Sequence, residues 1–186
     1  MKKKLVLFSV GELIKRKNHE TVIRAIARLK ETDPALADGL YYVIAGRGVL
    51  QEYLTHLIHE LHVESQVKLL GFRKDIDHLD QAADIFVMPS FQEGLSVALM
   101  EAMGSGLPCI VSAIRGNTDL IDEHGGQVFD PHSVEECEKA IRAMMKKTDN
   151  DRERMGACNR EKIVGEFGIR RVEEIMRRIY TDRRVG

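Results

Sequence analysis

Short apolar runs alternate with longer stretches in which apolar residues recur every three or four positions. The runs fall at residues 5–10, 41–45, 67–70, 85–88, 109–112 and 127–129. Most are continuous rather than alternating, the pattern of strands covered on both faces. Between the first two runs, Val22, Ile26 and Leu29 share one helical face, with Ile23 and Ala27 beside them. Leu50, Leu54, Leu57, Ile58 and Leu61 do the same before the third run. A short helix is expected over 76–81, capped by Asp75. The last third is helical in pattern, with segments at 133–147, 151–167 and 169–181, and Ser133 followed by Glu136 reads as a capping box. Strands and helices in alternation predict an α/β domain on one six-stranded parallel sheet. No internal repeat or low-complexity linker interrupts it.

The densest chemistry lies at residues 91–108. The run that ends at Met88 and Pro89 is followed by Glu93, the turn Gly94-Leu95-Ser96, an apolar helix with Glu101 inside it, and the break Gly104-Ser105-Gly106-Leu107-Pro108. Strand, loop, helix, glycine turn and strand make the frame of a phosphate-binding crevice at a parallel sheet. Ser96 is a suitable N-cap for the helix from Val97, which would leave the amides of Leu95, Ser96 and Val97 turned toward an anion. Glu101 then lies about 7.5 Å along the axis, roughly the step from a diphosphate to a ribose. A carboxylate accepts two hydroxyl hydrogen bonds at once, which suits a ribose diol. Glu93 sits on the loop side, where a hexose beyond the diphosphate would lie.

Two glutamates with seven residues between them, in this setting, resemble the signature of retaining glycosyltransferases of the GT-B fold, family 4 (glycosyl transferases group 1). Further motifs follow in order. Ser9-Val10-Gly11-Glu12-Leu13 and Lys17-Asn18-His19-Glu20 resemble the start of that family's donor domain. The segments 42–48, 67–76 and 114–121 are similar to its second strand and Gly-x-Gly turn, its base-binding loop and the stretch after its fifth strand. Several motifs at the right intervals carry more weight than any one alone.

The resemblance implies a Rossmann-like three-layer domain with a helical C-terminal segment, one half of a GT-B fold. Residues 1–186 would be the nucleotide-sugar (donor) binding domain, with the acceptor domain absent from this chain. It also implies site residues: Glu101 on the donor ribose, Glu93 on the transferred sugar, and Gly94, Leu95, Ser96 and Val97 on sugar and diphosphate. Gly11 and Lys17 would lie at the diphosphate, Gly71, Phe72 and Arg73 at the base, and Lys17 and Glu93 would be the catalytic pair. The family has an arginine directly after the first-strand glycine, where this chain has Glu12. Lys15 and Arg16 are the nearby cations, neither at the matching position. The helix over residues 169–181 resembles the one that crosses back to the other domain, and Ile169, Val172, Ile175, Met176 and Ile179 form its apolar stripe. The expected activity is transfer of a sugar from a nucleotide-diphosphate sugar, expected to be uridine-based, to a glycan or lipid-linked acceptor in polysaccharide biosynthesis. The alternatives are a non-catalytic nucleotide-sugar-binding partner module and a GT-B-like nucleotide-sugar epimerase.

Composition narrows the remainder. With 28 Lys and Arg against 29 Asp and Glu in 186 residues, the net charge is −1, so bulk charge gives no support for nucleic-acid binding. The absence of Trp argues against a stacking surface for single strands. No apolar run reaches the length of a membrane span, and residues 1–8 read as a first strand rather than a signal peptide. Cys109, Cys137 and Cys158 are odd in number and widely spaced, as in reduced cytosolic thiols. A cytoplasmic setting is expected, with peripheral association of the whole enzyme at the inner face of the membrane. His56, His59 and His62 read as a polar helix face, and Asp75-Ile76-Asp77 as a helix start, so no metal or other cofactor is expected. Gly46-Arg47-Gly48 lacks the third glycine of a dinucleotide fingerprint, since Gln51 stands there.

Overall fold

The computed structural model describes residues 4–182, apart from the side chains of residues 169, 170, 172, 175, 181 and 182. Six strands form one parallel sheet: β1 (Leu5–Val10), β2 (Leu40–Ala45), β3 (Val67–Gly71), β4 (Ile85–Met88), β5 (Cys109–Ser112) and β6 (Gly126–Phe129). Their spatial order is β3-β2-β1-β4-β5-β6, so the winding reverses between β1 and β4. β1 pairs with β2 along its whole length, and with β4 through Leu7 opposite Ile85 and Phe8 opposite Phe86.

The continuous apolar runs are explained by two cores, one on each face. Leu7, Ile44, Val87 and Ile110 point into the first, and their chain neighbours Phe8, Val43, Phe86 and Val111 into the second. The first core is covered by α1 (His19–Thr32), α3 (Gln51–Glu60) and α7 (Val134–Met145). The second is covered by α4 (Ile76–Ala82) and α5 (Val97–Gly104), with Ile163 of α8 (Asp149–Phe167) packed against it. Short helices α2 (Pro34–Ala37) and α6 (Arg115–Thr118) shape two connections, and α9 (Ile169–Asp182) ends the described chain. The expected three-layer Rossmann-like domain is present.

Helix starts differ from expectation where side chains found other partners. Asp75 does not cap α4, because Arg73 takes its carboxylate in a two-pronged contact, Nε to Oδ1 at 2.8 Å and Nη2 to Oδ2 at 2.5 Å. Ser133 does cap α7, accepting from Glu136 N–H at 3.1 Å. The Glu136 carboxylate accepts from Asp130 N–H rather than from Ser133, so the box is half formed. A complete capping box stands instead at Thr148 and Asp151, which moves the start of α8 to Asp149. On α9, Met176, Ile179 and Tyr180 are 44%, 47% and 63% exposed. Of these, Met176 and Ile179 belong to the expected stripe, whose other members, Ile169, Val172 and Ile175, have side chains outside the described residues.

Candidate active site

The loops after β1 and β4 meet where the strand order reverses, the place at which open parallel sheets bind ligands. After β1, a single 3-10 turn, Lys15–Lys17, leads into Asn18 in the left-handed region at φ 55, a conformation asparagine tolerates better than most residues. The Asn18 amide donates to Pro89 O and Pro131 O, both at 3.0 Å, tying this turn to the ends of β4 and β6. Lys17 is thereby set over Gly11: a methyl group on Gly11 would meet Lys17 Cε at 3.3 Å.

Across the seam, Glu93 receives Lys17 Nζ at 2.7 Å and Ser90 Oγ at 2.7 Å on Oε1, and Arg16 Nη1 at 3.3 Å on Oε2. Burial disfavours its charge, but the hydrogen bonds from Lys17 and Ser90 outweigh that and hold its carboxyl below the ordinary range. Ser90 is fixed from beneath. Ser112 Oγ donates to Ser90 O at 2.6 Å, and Asn117 Nδ2 donates to Ser112 Oγ at 3.0 Å. Beyond Glu93 the chain passes Gly94 and exposed Leu95 and enters α5, where Ser96 Oγ accepts from Leu99 N–H at 3.3 Å. The N-cap is therefore the one expected, and Val97 opens the helix, exposed.

Two cavities flank the seam. One, of about 440 Å³, is lined by Gly11, Glu12, Arg47, Phe72, Arg73 and Ile76 among others. The Arg47 guanidinium lies 5.5 Å from the centre of the Phe72 ring, within cation–π range. Gly46, on its wall, serves backbone packing: an added Cβ would fall 1.8 Å from Gly11 O. The second cavity, of about 470 Å³, is lined by Lys74, Ile76, Asp77, Asp80, Glu101 and Ser105. Ile76 is common to both, so Gly11, Phe72 and Arg73 share one cavity and Glu101 borders the next.

Residues 1–162 match the profile of the family described as glycosyl transferases group 1. The chain belongs to that family. Among this chain's curated relatives is the Escherichia coli UDP-Gal:alpha-D-GlcNAc-diphosphoundecaprenol alpha-1,3-galactosyltransferase, 34% identical over 175 residues, covering 91% of this chain and 44% of that protein. The fold agrees with solved glycosyltransferase structures. HepE from Anabaena in complex with UDP superimposes with a TM-score of 0.84 at 22% identity, covering 96% of this chain and 49% of the other. The C-terminal domain of a group 1 family protein (LpcC) from Francisella tularensis gives 0.78 at 18% identity, covering 91% and 89%. The chain spans at most about half the length of the curated relatives it matches.

The seam also holds residues that pattern alone did not single out. Ser90, Ser112 and Asn117 support Glu93, and Arg16 reaches it from outside. A second buried polar chain lies under the β1 loop: Ser9 Oγ donates to Val87 O at 2.6 Å, Tyr42 Oη lies 2.8 Å from Ser9 Oγ, and His19 Nδ1 lies 3.3 Å from Tyr42 Oη. Burial, with Lys17 adding repulsion, lowers His19 to about 4, so its ring is neutral at physiological pH. His56 and His59 lie on α3, His62 follows it, and His59 Nδ1 is 3.0 Å from Glu64. Among the described residues, no group of three or more His, Cys, Asp or Glu is placed to hold a metal ion, and no helix is long and apolar enough to cross a membrane.

Proposed function

We propose that this domain binds the donor of a retaining glycosyltransferase, a nucleotide-diphosphate sugar, and that an acceptor domain outside this chain completes the cleft. The observation that carries the reading is the Lys17–Glu93 contact across the β1/β4 seam, beside the capped N-terminus of α5. In this reading Lys17 and the amides of Gly94, Leu95, Ser96 and Val97 hold the diphosphate. They also stabilise the charge that grows on it as the sugar leaves, generally a large contribution to catalysis. Glu93 orients the sugar, and Glu101 takes the ribose. The base lies in the 440 Å³ cavity against the Gly71-Phe72-Arg73 loop. The acceptor oxygen attaches to the anomeric carbon on the face the phosphate leaves. A uridine donor is supported by the Escherichia coli relative, named for UDP-galactose, and by HepE, solved with UDP. The same relative's GlcNAc-diphosphoundecaprenol acceptor supports a lipid-linked acceptor for the whole enzyme. No metal is needed for this chemistry.

Calorimetric titration with uridine, guanosine and adenosine diphosphates tests the donor site. The expected result is a preference for the uridine compound that falls at least tenfold in Glu101→Ala, as for loss of a bidentate hydrogen bond. Unchanged affinity in that variant would remove the ribose assignment.

A further inference from the structure

Resting on the donor reading above, we infer that Arg16 is the second cation of the diphosphate site, doing with its guanidinium what Lys17 does with its ammonium. Arg16 is held at the seam by its own backbone, since Phe91 N–H donates to Arg16 O at 2.9 Å. Its Nη1 lies 3.0 Å from Gln92 O and 3.3 Å from Glu93 Oε2, on the opposite carboxylate oxygen from Lys17. The two cations therefore bracket the acid.

Charge explains why both are needed. Glu93 stays ionised, so the Lys17–Glu93 pair sums to zero. Glu12, next in chain to Gly11, adds a negative charge at the rim of the neighbouring cavity. Without Arg16 these three side chains sum to −1 before a ligand group that is itself at least doubly negative; of the cavity's other cations, Arg73 is paired with Asp75 and Arg47 lies over the Phe72 ring. With Arg16 they are neutral, and the N-terminus of α5 then makes the field favourable. Placement also separates the two cations. The Lys17 side chain is 14% exposed and the Arg16 side chain 46%, so the guanidinium can leave Glu93 at little packing cost. Among the described residues it makes hydrogen bonds through Nη1 alone, which leaves the rest of its planar fork for two oxygens of a phosphate.

The test is calorimetry of the unsubstituted chain, Arg16→Ala and Arg16→Lys with UDP and with uridine, at low salt and at high salt. Arg16→Ala is expected to weaken UDP about tenfold while uridine changes less than about twofold. Arg16→Lys is expected to recover part of the loss as a point charge, and the UDP penalty is expected to shrink with salt. Equal weakening of UDP and uridine would mean damage to the fold or the base cavity and would overturn the assignment, as would no change in either. If the unsubstituted chain bound neither compound, the donor reading would fall and this assignment with it. If it bound UDP and Arg16→Ala bound it equally well, the assignment alone would fall.

Discussion

Asp80 lies on α4 with 2% of its surface exposed, and its Oδ1 is buried with no hydrogen-bond partner among the described residues. Burial, with repulsion from Glu101 and Asp77, pushes its carboxyl up to about 7. In the unfolded chain an aspartate ionises near 4. The folded state therefore binds the proton more tightly. Stability present below about pH 4 is lost as the pH rises to about 7, by up to about 4 kcal/mol. Urea melts at pH 5 and pH 8 are expected to show about two thirds of this loss in the unsubstituted chain and a clearly smaller change in Asp80→Asn. An equal loss in both would place the slope on other groups. At this scale short-range spacing was enough to mark Ser96 as the cap of α5, while Glu93 and Lys17, 76 residues apart, are brought into contact only by the fold. Arg16 stood out only as one of two nearby cations, because spacing could not choose between Lys15 and Arg16. Its contact with Glu93 depends on two loops 77 residues apart. Asp80 was hidden for the same reason: one acid on a short amphipathic helix says nothing of the acid that the next helix brings beside it.

Elements were legible in proportion to their apolar content. All six strands stand within a residue or so of their runs, because a strand buried on both faces leaves a continuous apolar signature. Helix ends were less legible, since a cap depends on which of several partners a side chain takes. Asp75 had a choice and took Arg73, while Thr148 and Asp151 had none better than each other. The turn after β2 shows how tightly elements constrain one another. At Gly46 a side chain would overlap the backbone carbonyl of Gly11 by well over an ångström. Gly46→Ala is expected to push the β1 and β2 loops apart and lower the melting temperature by about 10 °C or more. A melting temperature within about 2 °C of the parent chain would show that the loop can move aside cheaply.

For the whole molecule, the runs implied a parallel sheet but not the order of its strands, which the structure supplies. Hydrophobic pattern says which face is buried, not which strand lies alongside. The C-terminal stripe shows the converse limit. Helical periodicity marked an apolar face, and the structure leaves Met176 and Ile179 exposed on it, with Tyr180 exposed beside them. Adjacent exposed apolar side chains favour association. Ile179→Ser is therefore expected to change unfolding stability by less than about 0.5 kcal/mol while shifting the chain toward monomer in light scattering at high concentration. A loss of stability instead would mean that Ile179 packs inside the domain.

The reversal of strand order at β1 also sets a timetable for synthesis. By residue 71 the growing chain holds β1, β2 and β3, enough for one side of the sheet to form as it leaves the ribosome. The free edge of β1 must then wait for β4, and an unpaired edge is a template for strands of other chains. The interval between the emergence of β3 and that of β4 thus leaves the centre of the final sheet open to mispairing.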